Sequence, residues 1–262
     1  MKRLFLILLA ALLLPLAAAN AGTPCNEQKT DANNFVKAMK LAEDTRVALE
    51  QSGAAVAMIT RVGQDLSQYG QRYSHMAWVW RDHPKGRWTV VHELNSCGTA
   101  SSAIYDQGLA NFFLDDLFEY EARILVPGAA SQARIAAMLA SPAPRRLHSA
   151  RYNMLAYAFS TEYQNSNQWV LETYAAASSE FVVDQRGKAQ AWLKLAGYRP
   201  ITVYVNATTR LGARLFRANV SFDDHPFGRR MAGQIDTVTV DSVLQFVRQR
   251  DKEARETVLT VN

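Results

Sequence analysis

Cysteine is scarce in this chain: Cys25 and Cys97 are the only two among 262 residues. There is also no low-complexity linker, no internal repeat and no long block of one charge. Those absences argue against a string of modules and favour one continuous domain over residues 22–262, with an additional C-terminal region from about 180 onward. Long apolar runs are missing too. The stretch 4–19 is the longest, it falls short of the roughly 20 residues a membrane-spanning helix needs, and no later segment approaches that length. Neither charge sign dominates, with 29 Lys and Arg against 24 Asp and Glu. The net charge of +5 suits contact with anionic envelope material, yet the basic residues are scattered among acidic ones, and a solvated surface is the simpler reading. No nucleic-acid motif is present, and no nucleic-acid partner is expected.

The first residues set the compartment. Met1-Lys2-Arg3 precedes the apolar stretch, and Ala19-Asn20-Ala21 has the small-x-small pattern of a signal peptidase site. The expectation is a signal peptide over 1–21 and an exported mature chain, periplasmic in a Gram-negative source. Cys25 follows Gly22-Thr23-Pro24, which is not the approach to a lipid-modified cysteine. In an oxidising compartment a Cys25–Cys97 disulfide is the default. The alternative is that Cys97, five residues beyond His92, is a displaced nucleophile.

Apolar spacing predicts an amphipathic helix over 33–51, ended by Gly53, and a strand over 54–61. Residues 76–80 and 88–92 are rich in aromatic and β-branched side chains and flank a Pro- and Gly-containing turn, which reads as a β-hairpin. Residues 120–126 read as a strand, 129–139 as a helix and 142–144, with two prolines, as a surface loop. A helix over 165–177 takes Asn165 as N-cap. Further on, a helix is expected over 187–196, strands over 201–205 and 213–222, and a last helix over 240–250. The mixture makes the fold class α+β.

Two separated segments carry the chemistry. A hairpin brings the ends of its strands together, so His75, entering the first, and His92, leaving the second, become neighbours: a base and its orienting group. Ser166 falls in the first turn of the 165–177 helix, where free backbone N–H groups and the positive end of the helix dipole favour a nucleophile and a developing oxyanion. Each histidine taken alone is as well explained as a structural residue, and Ser at a helix start is ordinary. Asp223-Asp224-His225 has no spaced partner ligand and reads as a turn, so neither metal nor other cofactor is expected. The aromatic residues around the site, Trp78 among them, suit either a pocket or a core.

The pattern from His75 to His92, with Asn165-Ser166-Asn167-Gln168-Trp169-Val170, resembles the circularly permuted branch of the NlpC-type papain-like superfamily, which includes the lecithin retinol acyltransferase-like proteins. There a histidine leads a strand in a His-x-Gly-Ile-Tyr-like pattern, and an Asn-Cys-Glu-His-Phe-Val-like motif opens the nucleophile helix. The resemblance implies a permuted papain-like domain with an antiparallel sheet packed against helices. It implies His75 as base, His92 as orienting group, Ser166 in the cysteine position, and Asn165, Asn167, Gln168 and Trp78 around the substrate. Cell-wall peptide or lipid would be the ligand. Tyr152-Asn153-Met154-Leu155-Ala156-Tyr157 and Gln164 to Val170 are similar to segments of a bacterial family, domain of unknown function 2145. Serine departs from the superfamily pattern. A thiol ionises near neutral pH and a hydroxyl does not, so Ser166 supports either a serine hydrolase or an inactive protein that binds in the same cleft.

Overall fold

The computed structural model describes residues 31–115 and 117–262, and the side chains of these apart from Leu215 and Phe216. The expected signal peptide and Cys25 lie outside the described residues.

Helix α1 (Ala32–Ser52) starts where Asp31 accepts from the Asn33 backbone and stops at Gly53, whose φ of 68° is left-handed. It leads into a six-stranded sheet built from β1 (Val56–Arg61), β2 (His75–Trp80), β3 (Thr89–Asn95), β4 (Ser102–Gln107), β5 (Glu121–Val126) and, from the far end of the chain, β8 (Arg255–Thr260). The spatial order is β4-β3-β2-β1-β5-β8 and every pair is antiparallel. The expected hairpin is β2–β3, in register at Trp78↔Val91. Its loop contains Trp88, whose positive φ of 59° is unusual for a bulky residue. Burial of the indole and its hydrogen bond to Glu50 Oε1 (2.7 Å) hold it there.

Alternation along the strands splits their side chains between two cores. Ala57, Ile59, Ala77, Val79, Val90 and Ile124 meet α1 and the short α2 (Leu109–Phe113). Val56, Met58, Met76, Trp78, Val91 and Leu125 meet the opposite layer, formed by α3 (Ala129–Leu139), α5 (Ser166–Ser178), α6 (Arg186–Leu195) and α9 (Val240–Arg250). Both faces are covered, which is why β1 is buried at every position. Helix α5 lies innermost, against α3, α6, β2 and β3, and is buried from Ser166 to Ala177.

Elsewhere the structure corrects the sequence reading. Residues 213–222 were expected to extend, but α7 (Ala207–Phe216) occupies the first part. Asn206 caps it by accepting from Thr209 N (2.8 Å), a start signal that outweighs the local alternation. The proline-marked loop contains a single turn of helix, α4 (Ala143–Arg146), with proline in the first-turn position that tolerates it. A second, two-stranded antiparallel sheet pairs β6 (Ile201–Tyr204) with β7 (Gln234–Thr237), with α7 and α8 (Phe227–Met231) between them in sequence.

Candidate functional site

His75 opens β2 and His92 lies in β3, both buried. Strand parity puts them on the α1–α2 face, where their rings flank Phe112 at centroid distances of 5.7 and 5.5 Å. His75 Nε2 and His92 Nδ1 are 2.9 Å apart, and His92 Nε2 is 3.1 Å from Gln107 Oε1 on β4. An amide oxygen only accepts, so His92 Nε2 carries a proton and donates it. Burial first, then the Arg61 charge, lowers the His92 pKa to about 4, which leaves the ring neutral and its Nδ1 an acceptor. His75 Nε2–H must then donate to that Nδ1. The remaining lone pair of His75 is on Nδ1, and the same causes, burial before Arg61 and His92, hold His75 neutral well below the usual histidine range. The chain Gln107–His92–His75 therefore fixes a tautomer and keeps both rings neutral.

The start of α5 is built with equal economy. Asn165 Oδ1 accepts from Gln168 N (2.8 Å), and Asn165 Nδ2 reaches Met154 O, Thr237 Oγ1 and Val238 O. Asn167 leaves the helix in the other direction. Its Oδ1 accepts from Met76 N (3.1 Å) and its Nδ2 lies 3.5 Å from Ser74 O, so one amide clamps the backbone on either side of His75. The β2–β3 ladder has ended before this point, which leaves Met76 N available. Ser166 sits between these anchors with its own N–H and that of Asn167 in the unpaired first turn.

His75, Ser166 and Asn167 line one cavity of about 1180 Å³, with Tyr152 beside them and Leu155, Val205 and Phe222 on an apolar wall. Burial, and then Glu93, push the Tyr152 phenol up to about 12, while the Ser166 side chain acts in the opposite sense as a hydrogen-bond partner. Among the described residues the Ser166 hydroxyl has no hydrogen bond to the His75 ring. Asn165, Gln168 and Trp78, expected around a substrate, do not line the cavity. Asn165 is spent on capping, Gln168 Nε2 lies 3.4 and 3.3 Å from Tyr157 O and Ala158 O, and the parity of β2 sends Trp78 into the core beneath α5. Cys97 lines the cavity rim and is disulfide-bonded, so it is not a free nucleophile. Asp224 accepts from Tyr157 N and contacts His225 Nδ1 at 2.9 Å, a buried turn arrangement.

Sequence reasoning missed a buried polar layer behind Ser166. Ser102 Oγ donates to Glu93 Oε1 (2.8 Å) and lies 3.0 Å from His148 Nε2. Glu93 is fully enclosed, and burial raises its pKa to about 8 against weaker opposition from Ser102 and Arg186. A folded-state pKa above the ordinary carboxyl value of 4.5 means that the folded protein keeps a proton the unfolded chain has lost. Stability from this group is complete below about 4.5 and falls as pH rises toward about 8. The depressed histidines act in the opposite direction, with stability lost as pH falls from 6.5 toward about 4 for His92. Glu93→Gln should therefore gain on the wild type by about 3 kcal/mol between pH 5 and pH 8 in urea unfolding. Parallel pH profiles for the two proteins would refute the buried neutral carboxyl.

The antiparallel sheet between helical layers, with polar side chains from β2, β3 and α5 converging at one end, defines an α+β protein with a built cavity site. Residues 48–247 match the model of a family of uncharacterised proteins conserved in bacteria, domain of unknown function 2145. The chain belongs to that family. No curated protein and no solved structure matches it. No helix among the described residues is long and apolar enough to cross a membrane.

Proposed function

We propose that the cavity is a permuted papain-like site with serine in the cysteine position, and that it acts on an amide or ester of the cell envelope. One observation carries this reading. The Gln107–His92–His75 chain leaves His75 Nδ1 unprotonated, and His75 lines the same cavity as Ser166, which stands on a helix start that Asn167 ties to the residues flanking His75. In the reaction His75 Nδ1 takes the Ser166 Oγ proton as the oxygen attacks the carbonyl carbon. His92 holds the ring in the required tautomer. The N–H groups of Ser166 and Asn167 receive the oxyanion, each donor worth about 3–4 kcal/mol in such a role. The protonated His75 then returns its proton to the leaving amine or alcohol, and water releases the acyl group by the same path. Cell-wall peptide and lipid ester are the substrate classes the resemblance implies, and export from the expected leader would bring the protein to them.

A second reading is binding without turnover, favoured by the missing hydrogen bond between Ser166 and His75 and by the weak nucleophilicity of a hydroxyl. A fluorophosphonate probe separates the two. Labelling of the wild type, lost in Ser166→Ala and slowed ~100-fold or more in His75→Ala, is the result expected of a hydrolase. Labelling that persists in Ser166→Ala would place the nucleophile elsewhere, and an unlabelled wild type stabilised by ligand would leave the binding role.

A further inference from the structure

The cavity wall contains two amide oxygens that nothing among the described residues satisfies. Asn219 is 3% exposed, lines the cavity, and its Oδ1 has no hydrogen-bond partner among the described residues. Gln71 Oε1 is buried, lines the same cavity and is likewise unpartnered, while its Nε2 is spent on Gly70 O at 3.0 Å. Buried acceptors of this kind are rare in native proteins and each calls for an explanation.

Neither group is loosely placed. Asn219 O accepts from Met154 N (2.9 Å), and Asn153 grips the next turn of chain by accepting from Ser221 N and donating to Ser221 O. Met154 O in turn accepts from Asn165 Nδ2, the cap of α5, so a short relay of hydrogen bonds fixes Asn219 relative to Ser166. Gln71 lies four residues before His75 and faces the cavity with the segment that leads into β2.

We propose that Asn219 and Gln71 are ligand-positioning residues that accept hydrogen bonds from backbone N–H groups of a peptide, which makes the ligand of this cavity a peptide and not an acyl chain. The inference rests on reading the cavity as a ligand site and narrows its substrate class. An acyl chain has no donors, so it would leave both oxygens unsatisfied. A peptide offers a donor at every residue, and its side chains suit the wall formed by Leu155, Val205 and Phe222. A glycan also has donors, but its hydroxyls are poor partners for that apolar wall.

The test uses Ser166→Ala protein, so that the loss of hydrolysis has no bearing on the outcome. The probes are a mixture of N-acetyl tripeptide amides, the same mixture N-methylated along its backbone, methyl octanoate and chitotriose, each at millimolar concentration with thermal unfolding as readout. Stabilisation by the tripeptides that disappears on N-methylation is expected. Asn219→Leu should weaken the tripeptide effect at least ~10-fold in apparent Kd, because a site built to pair with a donor discriminates strongly on that contact. Without ligand it should melt no lower than its parent, since it removes an unsatisfied group. Should Asn219→Leu unfold, Gln71→Met at the half-exposed position carries the same comparison. Equal stabilisation by the N-methylated mixture, binding of the ester or chitotriose alone, or no effect of the tripeptides overturns the proposal.

Discussion

Arg186→Met is expected to lower the free energy of unfolding by about 3–5 kcal/mol, enough to threaten the fold of a protein with ordinary stability. Glu172, in the middle of α5, is fully enclosed, and its carboxylate is satisfied by Arg186 Nε (2.8 Å), Gln190 Nε2 (2.8 Å) and Gln164 Nε2 (2.7 Å). Arg186 also reaches Thr161 O, and Gln164 Oε1 accepts from Ser149 N, so the cluster gathers α6 and the loops before α5 around one carboxylate. Removing the guanidinium alone strands a charge in the interior, which is far costlier than removing both partners. The companion Glu172→Met/Arg186→Met protein should recover much of the loss, and the Arg186→Met deficit should shrink in acid, where Glu172 can protonate. Guanidinium unfolding at pH 7 and pH 5 decides the matter. A deficit below about 1 kcal/mol, in the range of an exposed ion pair, would mean that the cluster is not closed to water.

Ser166→Cys should create a thiol that reacts with iodoacetamide at pH 7 about ten times faster than an ordinary one. A cysteine of pKa near 8.5 is only about 3% ionised at pH 7, so full ionisation raises the thiolate roughly 30-fold, and the lower basicity of that thiolate gives back part of the gain. Two features favour ionisation here: the first turn of α5 and the neutral Nδ1 of His75, which can receive the proton. Burial and Arg61 resist the imidazolium, so the gain depends on the two groups being adjacent. The rate should return to that of a simple thiol in Ser166→Cys/His75→Ala. An identical rate with and without His75 would show that the imidazole does not address position 166.

Much of this architecture was legible because single residues mark it. Gly53 ends α1, Asn165 starts α5, and the aromatic strands around the Pro-Gly turn fold as the hairpin that joins His75 to His92. What escaped was non-local. Strand β4 reads as polar, and its place in the sheet comes from pairing with β3, with Ser102 bonded to Glu93 and Gln107 to His92. Glu172 and Arg186 look like surface charges until α6 folds back over α5. Residues 213–222 were misread because the cap at Asn206 lies outside the window in which they alternate. At the site, Asn167 lines the cavity and also gives its amide to the β2 backbone, a bond no local pattern announces.

The position of β8 bears on what the loss of that strand would do. Residues 255–260 close the open side of β5 along its whole length, from Val126↔Arg255 to Glu121↔Thr260. A chain lacking them would present a row of bare amides and carbonyls beside an apolar strand, the kind of edge on which sheets of separate molecules add to one another. The short β8 thus shields the apolar β5 from self-association.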